Sequence, residues 1–451
     1  PCGNDVKYFS YSNELFISGE GETFNYSADS RPPWHEHAET IKILTIKEGI
    51  TSIGSYAFDS LDSLESATIP KSVETIHPYA FSNCSKLKSI ELPKNVRGVP
   101  DGCFQGCESL ISVNILGKIS RIGDNAFDGC SSLENVYFAE DSFLKRLVKS
   151  SDPIVFPSSV LTIGSDAFAG CKRIESVEIP RSIRTIKSGC FEGCSSLSSV
   201  ILKVSIITIE ERAFCNCTNL REITLPSIIR TIGSYAFSGC STLQTIVIPR
   251  QVKVIEDGVF CGCLNIKSIT FNGNIKSIGN YSFSRCDALQ SFEIPESANE
   301  IGSSAFEGCM TLSSITIPTS VTTIEAATFK DCNDLASVTF LGDIVEIEEE
   351  AFAGCSSLET FTIPESVTYL GSSSFASCQN LKSFSIPMNV SYIGDSCFAG
   401  CSSLTTLTFN GLTSPKHGES ILNGTQVEKV VVPTLYIDAD FCGYSVDRIA
   451  T

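Results

Sequence analysis

The chain has 451 residues and is acidic, with 33 Lys and Arg against 51 Asp and Glu, a formal net charge of −18. Charge of that sign repels phosphate backbones and anionic lipid heads, which argues against nucleic acid and bare membrane as partners, and its first effect is solubility. No apolar run approaches the roughly 18 residues of a membrane helix, so no direct membrane insertion is expected. Pro1-Cys2-Gly3-Asn4-Asp5 has no basic or apolar leader character, so any export signal is expected to precede this chain or to have been removed from it.

Residues 1–40 are out of period with the repeats of residues 41–409. They hold Leu15-Phe16-Ile17-Ser18-Gly19, then Tyr26, Pro32, Pro33 and Trp34, and are expected to form a β-rich N-terminal cap that closes the open end of a repeat core. Trp34-His35-Glu36-His37 is the one histidine cluster. A metal needs three or four converging ligands, and no further donor pattern lies nearby, so the stretch reads as solvated cap.

From residue 41 to 409 the sequence is an array. Phenylalanine recurs at Phe58, Phe81, Phe104 and Phe127, and again from Phe168 to Phe398, with every step 23 residues except one of 41. Counting from each Phe, position +3 is Cys in 14 of 15 repeats and position +6 is Leu or Ile in all 15. Aliphatic pairs follow at +9 and +11, as in Ile90 and Leu92, and at +15 and +18, as in Val73 and Ile76. Leu87-x-x-Ile90-x-Leu92 fits the strand signature of leucine-rich repeats. Alternation at +9 and +11 places those side chains on one face of a strand, and the frequent Pro at +12, such as Pro70 or Pro318, ends it.

The Gly-Ser-x-Ala-Phe segment is expected to make one helical or 3₁₀ turn, with Ser as N-cap after Gly54, Gly164, Gly233 or Gly371. Gly at +2, as in Gly106 and Gly129, implies a left-handed residue leaving that turn. The expected architecture is therefore a leucine-rich-repeat solenoid. It would be a curved right-handed array of 23-residue repeats with one parallel β-sheet, short helical or 3₁₀ turns and extended segments opposite. The 41-residue step equals one repeat plus 18 residues, so 139–157, ending in Ile154-Val155-Phe156-Pro157, reads as a shortened repeat without the Phe-x-x-Cys turn. Residues 410–451 are irregular again and are expected to form the C-terminal cap.

The run Ile232-Gly233-Ser234-Tyr235-Ala236-Phe237-Ser238-Gly239-Cys240 and its copies resemble the BspA-like, Treponema-type leucine-rich-repeat surface proteins. The Cys2-Gly3-Asn4, Ile17-Ser18-Gly19 and Pro33-Trp34 stretches are similar to the leader segment common in that family. The resemblance implies an exported or surface-displayed protein of a bacterium or parasitic protist, with an adhesin-like role toward host cells, matrix proteins or other microbes. It implies no enzyme activity and no cofactor, and it names no ligand.

Of the 21 cysteines, 14 belong to the +3 column and three (Cys103, Cys190, Cys397) replace the Ala at −1, so free, buried thiols are the favoured reading over a disulfide framework. Cys215-Asn216-Cys217 and Cys261-Gly262-Cys263 pair an inward column residue with a neighbour at +1, which argues against a shared metal. Cys2 and Cys442, in the caps, are the cysteines best placed to pair with something else. No catalytic constellation stands out, and catalytic, cofactor and metal residues are all expected to be none.

The outward strand positions +8 and +10 carry mostly hydroxyls. The departures at +10 are the candidate ligand-binding face: Glu91, Asn114, Tyr137, Glu178, Ile201, Val247 and Glu293. The competing reading is ordinary strand propensity. Six Asn-x-Ser/Thr sequons occur; Asn83 and Asn216 sit at the left-handed +2 position, leaving Asn25, Asn280, Asn389 and Asn423 as candidate glycan acceptors. The expected function is recognition of a protein or cell-surface ligand through the extended repeat surface, on an extracellular or surface-displayed chain. The alternative is a structural spacer or coat rod without a ligand of its own.

Overall fold

The structure is a computed structural model that describes residues 1–138 and 152–449. The chain packs as two compact units, Pro1–Thr231 and Ile232–Thr451, and both are built from the same turn of β-solenoid. Each turn contributes a strand at +8 to +11. In the first unit Ser89–Leu92, Ser112–Ile115 and Asn135–Phe138 lie parallel and in register, Ile90 opposite Val113 and Val113 opposite Val136. A two-residue strand at +17 and +18 builds a second parallel ladder, with Thr185 opposite Thr208 and Ile186 opposite Ile209. The in-register pairing follows from the constant repeat length: a one-residue slip would turn every apolar side chain outward.

The third side of each turn departs from the sequence expectation. The Gly-Ser-x-Ala-Phe segments form no helix; the one helical segment among the described residues is the 3₁₀ turn His35–His37. The residue at −2 is left-handed (φ 54° at Tyr56, 53° at Asp166, 57° at Tyr235), which a right-handed helical turn cannot accommodate. Backbone donors instead point along the stack. The N–H of Phe58 donates to the carbonyl of Ala80 (2.8 Å), that of Phe104 to Ala126 (2.9 Å) and that of Phe237 to Val259 (3.0 Å). Ser is not an N-cap here. Its own N–H is capped by a side chain from the preceding turn, Ser55 by Asn25 Oδ1 (2.8 Å) and Ser165 by Asp124 Oδ1 (2.9 Å). The left-handed exit at +2 holds, at φ 72° for Gly106 and Gly129, with Asn83 and Asn216 substituting at 57° and 59°.

Between the sheets and the turns runs the core. In the first unit Phe81, Phe104 and Phe127 stack with centroids 5.8 and 5.6 Å apart, and in the second Phe306, Phe329 and Phe352 at 5.5 and 5.4 Å. Every one of these rings is fully buried, a burial that stabilises by roughly 2–3 kcal/mol per side chain. Trp34 heads the first column. Its indole stacks on Phe58 at 5.7 Å, meets Tyr8 and Tyr26 edge-on, and donates Nε1–H to the Ala57 carbonyl (2.9 Å). Around it, the antiparallel hairpin Asp5–Tyr11 and Glu14–Glu22 supplies the first strand against which Ile43–Ile46 pairs in parallel. At the other end, Val430–Pro433 and Tyr444–Ile449 carry the strand ladder on from Thr406–Phe409.

The 41-residue step has a simple structural result on one side. Phe127 stacks directly on Phe168 (5.2 Å), and the Cys171 thiol donates to the Phe127 carbonyl, so the turn column skips the extra residues. On the strand side Ile154–Val155 pairs with Val177 and Glu178, and Phe156 packs between Phe138 and Phe168. Positions 139–151 of the shortened repeat, with Phe143-Leu144-Lys145-Arg146-Leu147, lie outside the described residues.

None of the 21 cysteines is joined to another in a disulfide. Those at +3 are more than small apolar fillers: the Cys107 thiol donates to the Phe81 carbonyl, Cys194 to Phe168 and Cys309 to Phe283, each over 3.2 Å. The sulfur thus ties each turn to the Phe backbone of the turn before. Burial pushes Cys194 and Cys309 up to about 12, because a thiolate there would lose its water. Cys2 and Cys442 are also buried and pushed up to about 11 by burial. Neither pairs with another cysteine, and the Cys442 thiol lies against the Ser414 hydroxyl.

Candidate functional site

The +10 side chains form rows because the strands are parallel and in register. In the first unit Glu91 lies opposite Asn114 and Asn114 opposite Tyr137, so three of the candidates make one continuous strip. Glu178 lies opposite Ile201, with Val155 on its other side, and makes a second strip. Val155 is 38% exposed and Ile201 43%, so two aliphatic side chains flank Glu178 on an otherwise hydroxyl-rich surface. Glu178 is held by Lys203 at 2.6 Å. Tyr137 is half-buried, and burial together with the Glu134 and Asp152 carboxylates pushes its phenol above the usual tyrosine value.

In the second unit Val247, 48% exposed, lies opposite Thr270. Glu293 follows one turn later, but not on a continuous sheet. Ser268–Phe271 pairs fully with Thr245–Ile248 and, among the described residues, has no pairing with 291–294, whose single bridge is Ser291 to Ser314. The break opens a cleft of about 340 Å³ between Thr270 and Phe271 on one side and Glu293 and Pro295 on the other. A second cleft, of about 300 Å³, lies on the short-strand side of the first unit between Thr75-Ile76 and Gly98-Val99, where Pro100 has no N–H to give to the preceding turn.

Sequence reasoning located the row but missed Val155, because it belongs to the shortened repeat, and missed the cleft altogether. A signal for the cleft exists in the sequence. Phe271 at +11 is followed one turn later by Phe292 at +9, where an aliphatic residue is usual, and Phe340 and Phe361 repeat the arrangement. In both places the ladder breaks between the two turns.

Asn25, Asn280, Asn389 and Asn423 are all exposed. Asn25 and Asn280 each use Oδ1 to cap a backbone N–H of the next turn, whereas Asn389 donates Nδ2 to the Glu365 carbonyl (2.8 Å). Among the described residues no group of three or more His, Cys, Asp or Glu side chains is placed to hold a metal. Cys215 and Cys261 stand at +1 while Cys217 and Cys263 belong to the inward column. Among the described residues no helix is long and apolar enough to cross a membrane.

The family model for the BspA-type leucine-rich-repeat region matches residues 35–150, 148–267, 208–336, 253–380 and 322–440. The chain belongs to the BspA-type leucine-rich-repeat family. Among solved structures, this BspA-type chain is similar to a leucine-rich-repeat protein from Bacteroides ovatus at 25% identity, over 99% of this chain and 98% of that one, with a TM-score of 0.54. A leucine-rich cell surface protein from Faecalibacterium prausnitzii is 24% identical over 90% of this chain and 93% of that one, with a TM-score of 0.47. The leucine-rich-repeat protein of T. pallidum is 22% identical and covers 53% of this chain and 88% of that one, with a TM-score of 0.34. No curated protein matches the chain.

Proposed function

We propose that this BspA-type chain is a surface-displayed binding protein that recognises a protein or cell-surface ligand through the outward strand row. The observation that carries the reading is the strip Val155–Glu178–Ile201, where parallel pairing sets two exposed aliphatic side chains on either side of a carboxylate. Apolar contact area with polar groups at its rim is what a protein interface uses. Tyr137, Asn114 and Glu91 supply an amphipathic and polar strip on the same strand side. Export and adhesion to host cells, matrix or other microbes follow from the family resemblance, and repeated copies on one cell would add avidity. On such a route the exposed Asn25, Asn280, Asn389 and Asn423 are the candidate glycan acceptors.

The test is binding of the purified chain to host-type cells and matrix proteins, beside a variant with Tyr137→Thr, Ile201→Thr and Val247→Thr. Saturable binding that the variant loses supports the reading. Binding that the variant keeps moves the site away from the row, and no saturable binding to any surface leaves the chain a spacer.

A further inference from the structure

Four aromatic rings pack around the broken rung of the second unit. Phe271 and Phe292 meet edge to face at 5.8 Å, and Phe292 also packs on Phe283 (4.8 Å) and Phe306 (5.0 Å). On either side of this rung strands pair in full, Thr245–Ile248 with Ser268–Phe271 and Ser314–Ile317 with Ser337–Phe340, while the ladder is also interrupted without an aromatic pair between Ser66–Thr68 and Ser89–Leu92. At this rung two rings meet and, among the described residues, the strand ladder is not formed. The consequence shows in burial: Ile246 and Ile248 are buried, while their counterparts Ile269 and Phe271 are only half-buried and face the opening.

The floor of the cleft is therefore apolar, and its far rim is anionic. Glu293 and Glu296 are both exposed, both line the cleft, and neither has an ion-pair partner among the described residues. Pro295 between them has no N–H with which to rebuild the ladder. The second aromatic pair, Phe340 and Phe361 (6.1 Å), breaks its rung in the same way and leaves Val338 and Phe340 half-buried, but Thr362 stands there in place of Glu293. The fold thus contains a natural comparison for the carboxylate.

We infer that the cleft between Thr270-Phe271 and Glu293-Glu296 takes a lysine or arginine side chain from an extended basic segment of a protein partner. An aliphatic stem suits Ile269 and Phe271, and the cationic head reaches the two carboxylates at the mouth, the division that long basic side chains make at mixed surfaces. The opening lies between the strand Ser268–Phe271 and residues 293–296 of the next turn, and an extended segment presents a single side chain to such a gap. The net charge of −18 favours approach of a basic chain, and the unpaired rim carboxylates fix where it stops. The inference rests on the reading of the chain as a binding protein and names the chemistry of the partner.

The experiment is titration of the full chain with a labelled synthetic peptide alternating lysine and valine, read by fluorescence anisotropy, beside the same peptide with glutamate for lysine. The lysine peptide is expected to bind saturably and the glutamate peptide not to bind. The double variant Glu293→Gln/Glu296→Gln is expected to weaken binding by roughly tenfold or more, the loss of two partly desolvated charge contacts. Glu348→Gln/Glu349→Gln, which removes the same charge elsewhere in the second unit, is expected to leave it unchanged. Equal weakening by both double variants would mean attraction to net charge alone and would overturn the proposal, as would a wild-type chain that ignores the lysine peptide. Cell or matrix binding retained by a chain that ignores the peptide overturns this inference alone and leaves the strand-row reading standing.

Discussion

The thiol of Cys309 donates to the carbonyl oxygen of Phe283, 3.2 Å away and 26 residues earlier in the chain. That same oxygen already accepts the N–H of Cys286 at 3.2 Å, so the sulfur supplies its second partner across the boundary between two repeats. Replacing Cys309 with Ala removes a weak donor and a buried sulfur together. The expected loss is about 1–2 kcal/mol for the second unit, read as a lower urea midpoint with an unchanged slope. A variant as stable as the parent would mean the column cysteines are there for size alone.

Alkaline pH acts on the column thiols that burial pushes up. The ordinary thiol value is 9.0, and burial pushes Cys194 and Cys309 up to about 12. Below 9.0 both folded and unfolded chains hold their thiol protons, and the stability from the buried neutral form is fully present. Above it the unfolded chain ionises while the folded one does not, so stability falls as pH rises toward about 12, by roughly 1.4 kcal/mol per pH unit for each such thiol. Urea midpoints measured against pH are expected to be flat on the neutral side and to drop steeply beyond 9.0. A midpoint that stays level there counts against the buried-thiol description.

Reactivity separates one cysteine from the rest. Of the 21 free thiols only Cys261 is half-buried. A disulfide reagent such as Ellman's is expected to modify one thiol of the folded chain, slowly because burial also pushes the Cys261 thiol up, and the rest only on unfolding. Cys261→Ser is expected to abolish that first phase. Several thiols reacting at once in the folded chain would show that the columns open readily.

Trp34 is the one tryptophan, and it stacks on Phe58 at the head of the first aromatic column. Trp34→Ala is expected to cost about 3–5 kcal/mol, and Trp34→Phe distinctly less because the ring stack survives while the Nε1–H bond to Ala57 is lost. Urea unfolding followed by circular dichroism measures both. In the parent chain, indole fluorescence should be that of a buried ring and should shift to the red as the first unit unfolds. An alanine variant losing less than about 1 kcal/mol would show that the indole does not close the column.

The repeat was legible residue by residue. Phe at a fixed step, Cys at +3 and the aliphatic pair at +9 and +11 state which side chains face inward, and parallel stacking then follows because no turn can bury its apolar face alone. The left-handed exit was legible in Gly106 and in its stand-ins Asn83 and Asn216, which favour that conformation, but not at Ser60, Arg285, Asp331 or Ser377, which adopt it at the same position. The extended, non-helical turn before Phe was not legible. Nothing local in Gly-Ser-Tyr-Ala-Phe announces that its N–H groups bond to the next turn, and that alternative exists only once a neighbour is stacked against it. The row of Glu178 and Ile201 was legible as a set of departures at +10, but its third member, Val155, depended on where the shortened repeat docks.

The sequence by itself determined the solenoid, its register and its core, because period and polarity are local properties that repeat without change. Only the tertiary structure decided where the ladders break. Phe271 and Phe292 are each ordinary core residues when read alone, and Glu293 is one outward carboxylate among many. The two rings meet across adjacent turns at 5.8 Å where the ladder is broken, and there Ile269 is half-exposed and Glu293 and Glu296 line an apolar cleft. Rings on successive turns compete for one fixed volume in a close-packed core, and that competition is a property of the stack, which no single repeat contains.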